Sequence, residues 1–132
     1  MKFSYYKLKK GVERPIVPIE VSSGGKSVRY FGLIDSGADI NLFHSEISDM
    51  LGISLKDGEQ GYINGAVEGN SQVYYLHPIK LKIDGKSYDT YAAFMPNLSK
   101  NGHGLLGQRT FFSLFKKISF DFDKKEVELV ER

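Results

Sequence analysis

Phe31-Gly32-Leu33-Ile34-Asp35-Ser36-Gly37-Ala38-Asp39 is the stretch that decides the fold, because an apolar strand runs directly into an acidic turn. The apolar residues before Asp35 bury the strand and so hold the carboxylate in a fixed place. The hydroxyl of Ser36 can brace the turn, and Gly37 lets the backbone approach the carboxylate and donate its N–H to it. The same residues also suit an ordinary strand that ends in an Asx-type turn. The stretch alone therefore leaves two interpretations open.

Two further segments point to a function only when they are considered together with the first. Gly104 to Arg109 places two leucines before Gly107, which predicts a buried strand with a close backbone approach. Residues 57–70 hold four glycines and few apolar residues, which is typical of a hairpin or loop that opens and closes over a ligand. Taken singly, each also fits a simpler structure: a core strand for the former and a flexible surface hairpin for the latter.

The rest of the chain predicts an all-β domain with one or two short helices. Strand signals alternate with turn residues at short intervals, as in a small barrel or sandwich. Asp84-Gly85 is a strong signal for a two-residue hairpin. The predicted strands cover 16–21, 27–34, 40–43, 73–83, 86–94, 105–107, 118–122 and 127–130. The predicted helices are one capped by Ser45 and ended by Gly52, and one from Arg109 to Lys116.

Composition narrows the function classes. The 132 residues fit one globular domain, and 41% of them are apolar. The net charge is +2 and the lysines are spread along the chain, so we expect no nucleic-acid partner. The absence of cysteine excludes disulfides, thiolate catalysis and cysteine-ligated metals. His44, His77 and His103 share no metal-ligand spacing, so no metal or other cofactor is expected.

The sequence also predicts a cytoplasmic protein without membrane insertion. The first residues lack the apolar core of a signal peptide. No apolar run approaches the roughly 20 residues that cross a bilayer.

In their order along the chain, the three segments resemble the retropepsin-like aspartic peptidases. The resemblance runs from about Ile16 to Leu129, and it is most specific over Leu33 to Asp39 and then over Leu105 to Arg109. The glycine-rich segment matches mainly in its glycine content, and the terminal hairpin is more similar to cellular or bacterial members than to viral ones. The resemblance implies a single retropepsin-like acid-protease barrel over residues 1–132, with a core of about 16–129 and a flap hairpin of about 58–75.

The family resemblance implies that Asp35 is catalytic and that Ser36 and Gly37 complete its turn. The reaction needs one ionised and one protonated carboxylate that share an attacking water. A second Asp-Ser-Gly or Asp-Thr-Gly is absent, since Asp57-Gly58 and Asp84-Gly85 lack the middle hydroxyl residue. The second aspartate is therefore expected from a second copy, which predicts a homodimeric aspartic endopeptidase.

The resemblance also assigns residues to the peptide or protein substrate, which should bind in an extended conformation. The expected substrate contacts are Leu33, Ala38, Asp39, Ile63, Gly65, Ala66 and Val67. The expected structural supports are Leu105, Leu106, Gly107 and Arg109. Asp39 and Arg109 could instead form a purely structural ion pair. Because Ala38 offers no hydroxyl to the aspartate, we expect activity to reach toward neutral pH.

Two other functions fit the same residues. The fold could serve as a peptide-binding or dimerisation module with little or no proteolysis, which the weak flap match would favour. The chain could also be an unrelated small β-barrel in which all three segments are only turns. A monomer that binds no peptide would favour this last interpretation.

Overall fold

A computed structural model describes residues 1–64, 71–98 and 102–132. Within these ranges the chain forms one short α-helix, α1 (Ser45–Met50), two 3₁₀ helices, Leu55–Asp57 and Phe112–Leu114, and twelve strands. The strands are β1 (Lys2–Ser4), β2 (Tyr6–Lys9), β3 (Val12–Arg14), β4 (Ile16–Ser23), β5 (Lys26–Ile34), β6 (Leu42–His44), β7 (Glu59–Asn64), β8 (Ser71–Ile83), β9 (Lys86–Met95), β10 (Gly104–Leu106), β11 (Lys117–Asp121) and β12 (Glu126–Val130). The predicted all-β class with a short helix is confirmed.

The main sheet has seven strands and curls back on itself. Its order is β4-β5-β10-β6-β9-β8-β7, and β4 also pairs with β8. The inner face carries the core, in which Phe43, Phe94 and Leu81 are fully buried. Alternating apolar residues on β4, with Val17 and Val21 inside, explain how this strand covers one side of the core.

Two tight turns set the register of the longest hairpins. The β4–β5 turn passes through Gly24 and Gly25, both with positive φ. The β8–β9 turn passes through Asp84 and Gly85, with φ of 50° and 78°. Two successive positive φ angles are those of a type I′ turn, whose twist matches the flanking strands. The Asp84-Gly85 prediction is therefore confirmed.

A separate three-stranded sheet joins the two ends of the chain. Its order is β1-β12-β11, with Phe3 opposite Val127 and Phe120 opposite Val127 on the other side. Val127 and Leu129 are fully buried and pack in the core. Both edges of β12 are thus occupied within one chain. Strands β2 and β3 form a hairpin of their own between β1 and β4.

The predicted helix from Arg109 to Lys116 is wrong, because the structure has only a 3₁₀ turn at Phe112–Leu114. The N–H groups of Phe111 and Phe112 both donate to the carbonyl of Gly107, which closes the chain into a turn. This turn lets Phe111 and Phe115 both enter the core, with ring centroids 5.2 Å apart. Core packing of the phenylalanines outweighs the helical spacing.

The cap of α1 also differs from the predicted one. His44 is the N-cap residue in place of Ser45, and its Nδ1 accepts the N–H of Glu46 at 3.0 Å. An imidazole nitrogen replaces the expected hydroxyl, and the helix begins at Ser45 itself. Gly52 follows the helix with φ of 69°, as predicted for a glycine stop.

Gly32 is expected to tolerate no side chain. A Cβ at this position would lie 2.6 Å from Cδ1 of Leu106, which is fully buried and has no room to withdraw. We expect Gly32→Ala to lower the free energy of unfolding by about 1–2 kcal/mol, after allowing for the lower entropy of the unfolded alanine chain. Urea unfolding would measure this, with Ser27→Ala on the exposed end of the same strand as control. Equal losses in both variants would contradict the packing argument.

Candidate active site

Asp35 stands at the end of β5, in a turn held by the backbone. Its N–H donates to the carbonyl of Leu106 at 3.0 Å, and its own carbonyl accepts the N–H of Ala38 at 3.1 Å. The N–H of Gly37 donates to Oδ1 of the Asp35 carboxylate at 2.9 Å. A Cβ on Gly37 would lie only 3.2 Å from that oxygen, so glycine allows the close approach. The second carboxylate oxygen is left for other partners.

The segment around Gly107 lies directly against this turn. The N–H groups of Gln108 and Arg109 donate to the carbonyls of Ala38 and Asp39, at 2.9 and 2.8 Å. The side-chain amide of Gln108 donates to the carbonyl of Ser36 at 2.5 Å. These bonds bring together two segments that are far apart in sequence, and they hold the Asp35 turn from one side.

Gly107 allows the two segments to touch. A Cβ at this position would lie 2.5 Å from the carbonyl oxygen of Ile40 and 2.6 Å from its backbone nitrogen and carbon. Because the obstacle is backbone, no side-chain movement could relieve the clash. The glycine predicted to allow a close backbone approach therefore makes it to Ile40, just beyond the acidic turn.

Asn41 fastens the same two segments from inside the protein. Its side chain is fully buried; Oδ1 accepts the N–H of Gly107 at 3.0 Å, and Nδ2 donates to the carbonyls of Tyr91 at 2.9 Å and Thr110 at 3.3 Å. The Asn41 N–H donates to Oγ1 of Thr110 at 2.7 Å. Thr90 donates its hydroxyl to the Thr110 carbonyl at 2.5 Å, which completes the network. The sequence interpretation missed Asn41, whose only signal is a polar residue among apolar ones after the turn.

Asp39 and Arg109 form an exposed ion pair beside the turn. Nε and Nη2 of Arg109 both bond Oδ2 of Asp39, at 3.0 and 2.9 Å. The hydrogen bond from the guanidinium to Asp39 raises the pKa of Arg109, and the charge of the carboxylate adds to this. The second oxygen of Asp39 does not bond the guanidinium, and both side chains are about two-thirds exposed.

A cavity of about 330 Å³ opens beside Asp35, between the turn and the strands β7 and β8. It is mostly apolar, with carboxylates and the Arg109 guanidinium at its edge. Its lining residues are Asp35, Gly37, Ala38, Asp39, Ile40, Leu42, Tyr62, Ile63, Tyr74, Leu105 and Arg109. A larger groove of about 810 Å³ lies beside the β4–β5 turn, but none of the residues of the three segments lines it. The smaller cavity, which Asp35 lines, is therefore the candidate active site.

Two solved structures resemble this arrangement of strands. A retropepsin-like aspartic protease from Rickettsia conorii aligns with a TM-score of 0.62 at 16% identity, over 96% of this chain and 88% of that one. EIAV protease in complex with an inhibitor aligns with a TM-score of 0.51 at 19% identity, over 78% and 86%. The chain has a retropepsin-like fold. No protein-family model and no curated protein matches the chain. At these identities the likeness establishes the fold alone.

Within the retropepsin-like fold, the residues predicted from the sequence fall into three groups. Those that line the cavity are Asp35, Gly37, Ala38, Asp39, Ile63, Leu105 and Arg109. Those beside it are Ser36, which is exposed in the turn, Leu33 on the outer face of β5, Leu106 in the core, and Gly107 behind the turn. The predicted flap residues Gly65, Ala66 and Val67 lie outside the described residues.

Two aromatic residues of the cavity were not predicted. Tyr74 on β8 lies opposite Gly61 on β7, and its ring covers that glycine, so a Cβ there would collide with it. Tyr62, on β7, is 65% exposed and accepts a hydrogen bond from Gln60. A glycine facing an aromatic residue across a hairpin was the available signal, but it required the pairing register.

The described part of the fold offers neither a metal cluster nor a membrane-spanning helix. In residues 1–64, 71–98 and 102–132, no three His, Asp or Glu side chains are grouped so that they could share a metal ion. Over the same ranges, the helices are too short to cross a bilayer.

Proposed function

We propose that this chain is an aspartic endopeptidase that acts as a homodimer, with one Asp35 from each subunit. The observation that carries the proposal is the Asp35 carboxylate at the edge of an apolar cavity, held by the Gly37 N–H in a retropepsin-like fold. The sequence holds no second turn of this kind. A two-fold axis beside Asp35 would supply the missing carboxylate.

The geometry supports a general acid–base mechanism. The ionised Asp35 takes a proton from a water molecule while the water oxygen attacks the peptide carbonyl carbon, and the protonated Asp35 gives its proton to the carbonyl oxygen. When the tetrahedral intermediate collapses, the ionised carboxylate takes a proton from one of its hydroxyl groups, the C–N bond breaks and the nitrogen takes up the proton of the other carboxyl, which leaves the dyad with one proton again. Because the Gly37 N–H engages Oδ1, the other oxygen of each carboxylate is directed to the water and the partner.

The surroundings of the dyad fit an extended peptide. Ile40, Leu42, Ile63 and Leu105 offer an apolar surface to side chains near the cut bond. Asp39 keeps an oxygen that Arg109 does not bond, so it can accept a peptide N–H. Arg109 fixes the orientation of that carboxylate. Gln108 holds the carbonyl of Ser36 and so keeps the turn in place beside the partner.

Cleavage of an unbiased peptide mixture tests the proposal. We expect the protein to cut next to apolar residues, with a bell-shaped pH dependence, because one carboxylate must be ionised and the other protonated. Specific activity should rise with protein concentration as subunits associate, and sedimentation over the same range should show a dimer. A dimer that binds peptides without cutting them at any pH would instead identify a peptide-binding module.

A further inference from the structure

The β2–β3 hairpin is an exposed extension close to the candidate active site. It turns at Gly11, whose φ is 76°, and the backbone returns to β5 where the Ile34 N–H donates to the carbonyl of Pro15. The ring of Tyr6 lies 5.7 Å from that of Phe31. Both rings remain more than 40% exposed, so the contact leaves an open surface of aromatic and basic groups.

The hairpin lies on the sheet face that carries Asp35. Along β5, Gly32 and Ile34 point into the core, so Phe31, Leu33 and Asp35 share the outer face. Leu33 pairs with Leu105, a residue that lines the active-site cavity. The surface therefore continues from the cavity, past Asp35 and Leu33, to Phe31 and the hairpin.

The distance suits a peptide bound in the site. Phe31 on β5 and Asp35, which directly follows this strand, are four residues apart, which is about 13 Å at roughly 3.3 Å per residue of extended chain. An extended peptide rises by a similar amount per residue. A side chain about three or four residues from the cut bond would therefore come within reach of the hairpin.

The hairpin also concentrates positive charge. Residues 6–14 contain four cations, Lys7, Lys9, Lys10 and Arg14, and one carboxylate, Glu13, so the segment has a net charge of +3 in a chain whose total is +2. All four cations are exposed. None of the three lysines has an ion-pair partner in the part of the chain that the structure describes. This charge is free to meet an external anion.

From this position and charge we propose that the β2–β3 hairpin is a second contact for the peptide, and that it selects acidic side chains three or four residues from the cut bond. The inference rests on the proposed peptidase function of the Asp35 cavity. A peptide is favoured over a subunit contact as the occupant, because two hairpins of charge +3 brought together across a two-fold axis would repel each other. The contact would increase affinity while leaving the chemical step unchanged.

The test uses three fluorescein-labelled peptides that share the same apolar four-residue core. The core is flanked on both sides by Glu in the first peptide, by Gln in the second and by Lys in the third. Binding is measured by anisotropy on Asp35→Asn protein, and KM and kcat are measured on protein with Asp35 intact. The hairpin variant is Lys7→Glu/Lys9→Glu/Lys10→Glu. The matched control is Lys26→Glu/Lys56→Glu/Lys124→Glu, which reverses three exposed lysines outside the hairpin and changes the net charge equally.

We expect the protein with the unmodified hairpin to bind the Glu peptide about tenfold more tightly than the Lys peptide. In cleavage, the two peptides should differ in KM and have similar kcat. High salt should abolish the preference. The hairpin variant should reverse the preference, and the control variant should keep it. Equal effects in both variants, no preference, or a change in dimerisation confined to the hairpin variant would overturn the proposal. Acid-selective binding without any cleavage would overturn the peptidase function and leave the hairpin contact standing.

Discussion

Asp35→Asn is expected to lower kcat/KM for peptide cleavage by at least about 1,000-fold, because an amide neither accepts the proton of the attacking water nor returns it. Asparagine has nearly the same shape and keeps an oxygen for the Gly37 N–H, now 2.9 Å from Oδ1. Folding and dimerisation should therefore be unchanged, as measured by circular dichroism and sedimentation. Asp84→Asn is the control, since Asp84 is also followed by glycine and its positive φ suits asparagine.

The Asp35→Asn variant also tests whether the active site is shared between two subunits or is complete within one chain. If each dimer needs two intact Asp35 residues, then mixing equal amounts of the two proteins, with subunit exchange, leaves only about a quarter of the dimers fully intact. The activity of a fixed amount of unmodified protein should then fall to about half. An activity that stays constant as Asp35→Asn protein is added would mean that one chain suffices, and the dimeric mechanism would be wrong.

Local chemistry made much of this fold predictable from the sequence. The Asp84-Gly85 turn and its two strands follow from residues that are adjacent in the chain, so alternation and turn chemistry suffice. The hairpin of β4 and β5 and the terminal hairpin follow in the same way. The Asp35 turn is equally local, since Gly37 lies two residues from the carboxylate that its N–H holds.

Features that depend on distant contacts were not predictable. The segment from Arg109 to Lys116 has helical spacing, but the burial of Phe111 and Phe115 in a core built from other strands decides its conformation. The pairing of β1 with β12 joins opposite ends of the chain, and neither strand alone specifies its partner. In each case the deciding partner is far away in sequence, where a residue pattern carries no signal.

The candidate site shows the same division. The acidic turn and the Gly107 segment were found separately, but their contact at Ile40 is visible only in three dimensions. Tyr74 enters the cavity because the β7–β8 register places it opposite Gly61. Asn41, which joins both segments, looks like an ordinary polar residue in the sequence. Its importance comes from four hydrogen bonds to residues more than 45 positions away.

Asn41→Leu is expected to lower the free energy of unfolding by about 3–5 kcal/mol. Leucine fills a similar volume but leaves the buried Gly107 N–H and the partly buried Tyr91 carbonyl without their partner, at about 1–3 kcal/mol each. The pairing of β6 with β9 begins at Leu42 and Ala93, so Tyr91 lies just outside it. No backbone N–H of β6 can therefore replace the Asn41 side-chain amide as a donor to the Tyr91 carbonyl. Urea unfolding would measure the loss. Asn97→Leu, the same change at an exposed site, should cost less than about 0.5 kcal/mol.

Asn41→Asp separates hydrogen bonding from packing, because aspartate keeps the shape of asparagine and changes only the donor. When ionised, the substituted carboxylate would place a negative oxygen against the Tyr91 and Thr110 carbonyls, whereas its protonated form could donate to either. Burial and these carbonyls would raise the pKa of the substituted carboxyl in the folded state. The stability of the variant should then approach that of the unmodified protein below about pH 4, where the unfolded carboxyl is also protonated, and fall as pH rises through the folded-state pKa. Asn41→Leu should show no such dependence relative to the unmodified protein. Unchanged stability of Asn41→Asp at every pH would mean that Asn41 acts by packing alone and does not hold the Asp35 turn through its amide.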